Sequence, residues 1–401
     1  MIRVLKTTFR TSKHELDRLF ACNRESARAW NDCLSYAKEY HKTNGKWISK
    51  TDLQKLTKGR YHLHSQSIQA VQERYLDART NAYRAKQTGY GHIHYPWRQK
   101  KNYPTWWKKD GFTIQPNGKI ELSMGIHNGK REKPIIVHIH RIPPGKIKEI
   151  ELVWDRKLML AMSYDDGAKP QENPNQSIAA IDMGEIHGIA AVADIGEALL
   201  ITSRKLRSVK RLRNKKLKEL HQRQSHCKKD SRKWKKYTCA IARIGSKTDN
   251  QQRDILHKMS RKFATWANGH GVKTVVIGDV EGVQKNTSRC KKNNNVQKRR
   301  SRNLNQKLSQ WPFGLLLAYL TYKLAALGID LNKIDESYTT QTCPVCGRKK
   351  KPSGRIYQCH CGYTCHRDVH GAKNIYAKFK YGEIRTLDWS VEKIMYLRPA
   401  S

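Results

Sequence analysis

The sequence has no run of about 18 apolar residues, which is the length that a transmembrane helix needs. Its first ten residues, MIRVLKTTFR, lack the apolar core of a secretory signal peptide. Neither an internal repeat nor a heptad seam is present. These absences exclude a membrane-spanning protein and a repeat array, and we expect a soluble, intracellular monomer.

Acidic residues are scarce, with 34 Asp and Glu against 79 Lys and Arg, which gives a net charge of +45. A chain with this excess of positive charge repels itself unless a polyanion is normally bound. Since no membrane-spanning segment is present, nucleic acid is the expected partner. The 401 residues are enough for two or three domains, each with its own core.

The cysteines do not have the spacing of a disulfide scaffold, because five of the ten lie within 23 residues and the others are scattered. Two short knuckles, CPVC at 343–346 and CHC at 359–361, supply four thiolates suited to tetrahedral Zn²⁺. A closed site of this kind is structural. The predicted ligands are Cys343, Cys346, Cys359 and Cys361, with Cys365 or His360 as an alternative fourth ligand.

Periodicity divides the first part of the chain into three segments. Residues 1–10 alternate as a strand does, 13–42 and 51–87 have helical spacing, and 110–165 contain short strands separated by turns. The polar segment 166–177, DGAKPQENPNQS, is rich in Pro and Asn and predicts a domain boundary.

The segment 178–380 has the element order of an RNase H-like domain, a mixed sheet with helices on both faces. Asp182 lies inside the first apolar strand, and Asp368 lies at the start of the last helix. In this fold these two points meet above the sheet, where carboxylates bind a pair of Mg²⁺ ions. An unpaired Asp182 between Ile181 and Met183 would be costly to bury, and a metal ion would remove that cost.

Basic residues alternate with aromatic ones at 95–109 (YPWRQKKNYPTWWKK) and 232–237 (RKWKKY). Lys and Arg neutralise phosphates, and Trp and Tyr rings stack on exposed bases. We expect these segments to contact nucleic acid, although a solvated charged helix face is the usual alternative for any single run of this kind.

Four motifs resemble the TnpB (OrfB) proteins of bacterial and archaeal insertion sequences, which are ancestral to compact type V CRISPR nucleases. They are AAIDMGEIHGIAAVAD (179–194), VVIGDVEGV (275–283), SYTTQTCPVCG (337–347) and YQCHCGYTCHRDVHGAKNI (357–375). By this resemblance, Asp182 and Asp368 are the first and third acids of a RuvC site. The cysteines of the two knuckles are the zinc ligands.

The resemblance implies an α+β multidomain protein with a helical recognition region, a β-barrel and a C-terminal RNase H-like (RuvC) domain that contains an inserted zinc ribbon. The expected bounds are 1–10 with 110–170 for the wedge-like β-barrel, 11–109 for the recognition helices, 178–340 with 363–385 for the nuclease domain, 341–362 for the ribbon and 386–401 for a C-terminal tail.

By the same resemblance the protein is an RNA-guided DNA endonuclease of the prokaryotic cytosol or nucleoid. It would bind a transposon-derived guide RNA and cut double-stranded DNA beside a short motif, with two Mg²⁺ ions for catalysis and Zn²⁺ for structure. Three alternatives remain: a silent RNA-guided DNA-binding regulator, a stand-alone transposase of the same fold, and a type V CRISPR effector.

One position departs from the family pattern, because Gly278 stands where the second catalytic acid, a glutamate, is expected. Asp279, Glu281 and Glu336 are the available replacements. Strand alternation directs Asp279 to the opposite side of the sheet. The strand that ends near Glu336 is expected beside the central one, so we predict Glu336 as the second acid, with Glu281 as the next candidate.

Overall fold

The computed structural model describes residues 1–88, 93–127, 129–280, 291–293, 296–298, 306 and 310–399. The chain forms two compact units, Met1–Ala168 and Lys169–Ser401. The boundary between them lies within the polar segment 166–177. Among the described residues, no helix combines the length and the apolar character needed to cross a membrane.

The described residues of unit 1 form three α-helices, each of which begins where a side chain caps the first turn. The Ser12 and Ser49 hydroxyls accept hydrogen bonds from backbone N–H groups three residues on, and His64 accepts one from Gln66. Gly45, in the left-handed conformation, ends the first helix. The helices are α1 (Lys13–Asn44), α2 (Lys50–Thr57) and α3 (Ser65–Gln87).

Two antiparallel four-stranded sheets complete unit 1, in the orders β1-β10-β9-β3 and β2-β8-β5-β4, and β6 pairs with β7. Their inward side chains share one hydrophobic core with the three helices. The strands are β1 (Ile2–Thr7), β2 (Phe9–Arg10), β3 (Thr105–Lys108), β4 (Phe112–Ile114), β5 (Lys119–Leu122), β6 (Ile126–His127), β7 (Lys130–Arg131), β8 (Ile135–Ile139), β9 (Lys146–Trp154) and β10 (Leu158–Asp165).

Part of the predicted nucleic-acid contact at 95–109 is wrong. Trp106 and Trp107 are 4% and 0% exposed, because β3 pairs with β9 and places both indoles in the core of unit 1. They cannot stack on bases. Trp97 is 58% exposed and keeps that possibility. The strand also lies inside the segment 11–109 predicted to be helical, and the division of unit 1 into a barrel and a recognition region stays a prediction.

Unit 2 is built on a six-stranded sheet in the order β17-β14-β11-β12-β13-β20. The pairs β11–β12 and β12–β13 are antiparallel, and the pairs β11–β14, β14–β17 and β13–β20 are parallel. The strands of unit 2 are β11 (Ser177–Asp182), β12 (His187–Ala193), β13 (Glu197–Thr202), β14 (Val272–Gly278), β15 (Lys291–Asn293), β16 (Val296–Lys298), β17 (Asp330–Ile334), β18 (Ile356–Gln358), β19 (Thr364–His366) and β20 (Lys393–Leu397).

The helices of unit 2 pack on both faces of this sheet, because alternate residues of each strand point in opposite directions. One face packs against α4, α5 and α6, and the other packs against α7. Ala179 and Ile181 face the first group, whereas Ala180 faces α7. The helices are α4 (Arg204–Ser225), α5 (Arg232–Gly269), α6 (Phe313–Ala326) and α7 (Arg367–Tyr381).

The segment 386–401, predicted as a tail, contains strand β20. This strand extends the sheet at the edge of β13, with Ala198 opposite Ile394 and Leu200 opposite Tyr396. Met395 and Leu397 pack into the core on the α5 side. The prediction of a tail was wrong because the partner of this short strand lies almost 200 residues away in the sequence, and pairing over such a distance leaves no local signal.

Candidate active site and cysteine cluster

Two of the predicted acids lie where β11 meets α7. Asp182 is the last residue of β11 and points to the same face as Ala180, and Asp368 lies in the first turn of α7. The helix can approach the strand closely because residue 371 is glycine. A Cβ atom at Gly371 would overlap Oδ2 of Asp182. A glycine inside a helix costs about 1 kcal/mol relative to alanine, and here it makes room for a carboxylate.

Glu336 reaches the same region from the turn after β17. In the parallel pair β14–β17, Gly278 lies opposite Ile334, two residues before Glu336. A Cβ atom at Gly278 would lie 2.6 Å from Oε2 of Glu336 and 2.9 Å from its Cβ. The Glu336 side chain therefore occupies the space above the glycine, where a side chain from β14 would otherwise stand.

The turn that carries Glu336 is fixed by hydrogen bonds. The Glu336 carbonyl accepts from the backbone N–H of Thr339 at 3.1 Å and from its hydroxyl at 2.8 Å. Lys378 of α7 donates to both the carbonyl and the carboxylate of Asp335, each at 2.8 Å. The glutamate is thus held between the end of β17 and α7.

The other two candidates for the second acid have different surroundings. Asp279 is exposed and one residue beyond Gly278, so it lies off the face that Asp182 and Glu336 share. Glu281 lies outside the described residues.

Burial makes two of these carboxyl groups weak acids. It raises the pKa of Asp182 to about 7, and the nearby charge of Asp368 adds to the effect. It raises the pKa of Glu336 to about 8, with further contributions from Asp182, Asp279 and Asp335. A cation placed among these groups would favour their ionised forms.

Asp368 has the opposite shift. Burial acts to raise its pKa, but a hydrogen bond to His187 and the charges of His187, His366 and Arg367 outweigh burial and lower it. The Nδ1 atom of His187 lies 2.6 Å from Oδ2 of Asp368. The sequence reasoning missed both histidines. The available signal was a histidine at the start of an apolar strand, next to the turn that follows Asp182.

The four cysteines predicted as zinc ligands form one group, and their sulfur atoms all lie within 4.8 Å of one another. Sγ atoms of Cys343 and Cys361 are 3.6 Å apart, and those of Cys346 and Cys359 are 3.5 Å apart. Four sulfurs around a tetrahedral Zn²⁺ at about 2.3 Å lie about 3.8 Å from one another. The geometry is compatible with a metal ion, and neither Cys365 nor His360 belongs to the group.

The cysteine cluster is attached directly to α7. β18 and β19 form a hairpin, and β19 ends at His366, one residue before the helix begins. The Tyr357 ring of β18 stacks on His370 of α7 at a centroid distance of 4.0 Å. Asn374 donates to the carbonyls of Thr339 and Thr342 at 2.7 and 2.8 Å. The ribbon therefore sets the position at which α7, and with it Asp368, begins.

The fold and site define a class: an RNase H-like domain with carboxylates at one end of its sheet and a four-cysteine ribbon inserted before its last helix. The model of the Cas12f1-like TNB domain matches residues 313–375. The OrfB_IS605 model, described as a probable transposase, matches residues 160–284.

Two curated relatives align with this chain. A TnpB-like protein of Methanocaldococcus jannaschii is 27% identical over 189 residues, which is 45% of this chain and 64% of that protein. InsQ of Escherichia coli (strain K12) is 28% identical over 227 residues, which is 55% of this chain and 54% of InsQ. The alignments thus span less than two thirds of the length of either relative. Together with the family models, they confirm the predicted resemblance to the TnpB (OrfB) family.

Two solved structures have a fold similar to that of this chain. The cryo-EM structure of a Cas12f1–sgRNA–target DNA complex matches with a TM-score of 0.64 and 14% identity, over 91% of this chain and 83% of that one. The mini-RNA-guided endonuclease CRISPR-Cas phi3 matches with a TM-score of 0.52 and 10% identity, over 94% and 92% of the two chains. These matches confirm the predicted α+β fold class.

The raised pKa values predict a pH-dependent stability of unit 2 without added divalent ions. Protonated Asp182 and Glu336 are compatible with burial, so their contribution to stability is lost as the pH rises through about 7 and 8. The melting temperature should fall between pH 6 and pH 8.5. Asp182→Asn should reduce this fall and raise the melting temperature at pH 8.5 by a few degrees.

Glu383→Gln is the matched control, because Glu383 is an exposed acid just after the end of α7 and does not contribute to the pKa shifts of Asp182 and Glu336. It should leave the pH dependence of the melting temperature unchanged. Equal slopes for the wild type and Asp182→Asn would contradict the assignment of a buried, protonated Asp182.

Proposed function

We propose that the protein is a metal-dependent, RNA-guided DNA endonuclease. The observation that carries this proposal is the convergence of Asp182, Glu336 and Asp368, from three separate elements, at one end of the RNase H-like sheet. Burial disfavours the ionised forms of the first two, which is the situation that a bound cation corrects. The family relationship and the fold of the Cas12f1 complex support the same activity.

The carboxylate site fits Mg²⁺, since carboxylate oxygens are the ligands that this hard cation prefers. Two such ions would activate a water molecule and stabilise the leaving oxygen during phosphodiester hydrolysis. Asp182 is the acid that interacts with both of the others, because the charge of Asp368 raises its pKa and its own charge raises the pKa of Glu336. We assign it the central ligand position.

Guide RNA and double-stranded target DNA are the proposed partners. The net charge of +45 requires polyanions, and α4 offers a long surface for them. Leu206 is the only buried residue of that helix, and Lys or Arg recurs along its remaining faces. Pairing between guide and target would carry sequence specificity, and the protein would hold the nucleic acid by its phosphates.

The first experiment is to express the chain with its native flanking DNA, sequence the RNA that copurifies, and incubate the complex with matched double-stranded DNA and Mg²⁺. We expect cleavage that depends on the RNA and is lost in Asp182→Ala. Tight RNA-dependent binding without cleavage would contradict the nuclease proposal and identify a DNA-binding regulator. DNA binding that needs no RNA would identify a stand-alone transposase.

The assignment of Glu336 as the second catalytic acid can be tested by moving the carboxylate to the neighbouring strand. Glu336→Ala should reduce the cleavage rate by at least 100-fold, because one metal ligand is lost. Gly278→Glu alone should also impair cleavage, since its side chain would collide with Glu336. The double variant Gly278→Glu/Glu336→Ala returns a carboxylate to the same space from β14, and it should recover part of the lost activity.

Asp279→Asn and Glu281→Ala serve as controls for that exchange and should cleave within a few-fold of the wild type. An active Glu336→Ala together with an inactive Glu281→Ala would show that Glu281 is the second acid. A double variant no better than Glu336→Ala would contradict the shared space inferred at Gly278.

The cysteine cluster is proposed to hold a structural Zn²⁺ through Cys343, Cys346, Cys359 and Cys361. Burial raises the pKa of the Cys343 thiol to about 12, and the backbone N–H of Cys361 lowers that of Cys359 to about 6. A metal ion is needed to ionise all four thiols together. It would fix the hairpin that leads into α7.

Replacing Cys343 and Cys346 by Ser should remove one equivalent of zinc, lower the melting temperature of the chain and reduce cleavage, because the start of α7 is no longer fixed. Zinc content is measured by atomic emission, and stability by thermal unfolding. Cys239→Ser, at an exposed cysteine of α5, is the control. Unchanged activity and melting temperature in the double variant would contradict the zinc assignment.

A further inference from the structure

His187, His366 and Asp368 form a compact cluster at the start of α7. One possible ligand atom from each residue lies within 4.8 Å of the other two. The three residues come from separate elements: His187 begins β12, His366 ends β19, and Asp368 lies in the first turn of α7. Neither histidine has a role in the carboxylate chemistry proposed above.

The contact between His187 and Asp368 is the first reason to consider a metal ion. Nδ1 of His187 lies 2.6 Å from Oδ2 of Asp368, and only 8% of His187 is exposed. Two ligand atoms at about 2.1 Å from one ion, at a right angle to each other, are about 3 Å apart. An ion could therefore replace the shared proton if the two ligand atoms move apart by about half an ångström.

The second reason is an unsatisfied nitrogen. Nδ1 of His366 is buried and has no hydrogen-bond partner among the described residues. A buried polar atom without a partner costs about 1–3 kcal/mol. The His366 ring lies 5.5 Å from the His187 ring, centroid to centroid, so both rings border the same space beside Asp368. A cation bound there would remove this cost.

The cluster is also accessible. His187 lines a cavity of about 560 Å³, and the basic residues Arg204, Lys205 and Arg398 line it too. This positive lining attracts phosphate groups, and a phosphate in the cavity would offset the positive charge that disfavours a cation beside His187.

Two arginines oppose a cation at this position. Nη1 of Arg355 lies 3.8 Å from Oδ2 of Asp368, and Arg367 precedes the aspartate. The Arg355 side chain is 43% exposed and can move into solvent. Asp182, whose pKa is raised by the nearby charge of Asp368, would supply compensating negative charge once a cation favours its ionised form.

Imidazole nitrogen is a good ligand for transition-metal ions, whereas Mg²⁺ prefers oxygen. We propose that His187 and His366 complete, with Asp368, a nitrogen-and-oxygen site for a transition-metal ion such as Mn²⁺. This inference rests on the proposed nuclease site, because Asp368 is common to both. The proposed site implies that the metal position at Asp368 binds Mn²⁺ in preference to Mg²⁺.

Pulsed EPR of bound Mn²⁺ tests the proposal without relying on activity. The full chain, with its cysteine cluster loaded with Zn²⁺, receives one equivalent of Mn²⁺. We expect ¹⁴N couplings from directly bound imidazole. His187→Asn/His366→Asn should abolish them and weaken Mn²⁺ binding about tenfold or more. His226→Asn, at an exposed histidine after α4, is the control and should change neither.

Each single variant, His187→Gln and His366→Gln, should lose part of the ¹⁴N signal, which keeps the test valid if the double variant does not fold. The proposal would be overturned if Mn²⁺ binds to the wild type, binds more weakly to Asp182→Asn, and shows no ¹⁴N coupling in either. His187 would then be a residue that only orients Asp368. Couplings that persist in the double variant would overturn it as well.

DNA cleavage is measured separately on the same samples. Intact ¹⁴N couplings without cleavage would contradict the nuclease function and support the metal site. Cleavage without ¹⁴N couplings would contradict the metal site alone.

Discussion

The close packing of α7 against the end of β11 is the constraint on which the rest of unit 2 depends. Gly371 allows it, because any larger residue would collide with the carboxylate of Asp182. The packing partly buries Asp182 near the charge of Asp368, so the same contact that completes one face of the core also disfavours the ionised form of Asp182. A bound cation would favour the ionised carboxylates, and we propose phosphodiester cleavage as the use of such a site.

The cysteine cluster and the carboxylates are mechanically linked through the start of α7. The ribbon hairpin ends one residue before the helix, and the stacking of Tyr357 on His370 fixes their relative orientation. Burial lowers the pKa of His370 to about 4, so this stack is formed by a neutral ring at physiological pH. A structural metal in the ribbon would thus act on the active site by fixing a helix end, at a distance from the reacting atoms.

We propose that Glu336 supplies from the end of β17 the carboxylate that the family pattern expects at the end of β14. Glycine at the end of β14 leaves a gap, and Glu336 fills it from the neighbouring strand. The exchange is possible because parallel neighbours in a sheet end at the same edge, about 4.8 Å apart, which the length of a glutamate side chain can span. In this proposal the carboxylate occupies the space above Gly278, although it belongs to the neighbouring strand.

The sequence by itself determined the order of strands and helices along residues 178–380, the placement of Asp182 in the first strand and of Asp368 at the start of the last helix, the four-cysteine spacing and the excess of positive charge. All of these rest on local periodicity, spacing or total charge. Only the tertiary structure decided that Trp106 and Trp107 are core residues, that β20 joins the sheet, and that His187 contacts Asp368. Each of these contacts depends on a partner that is distant in sequence. A local sequence pattern does not indicate which distant segment will pack against a residue.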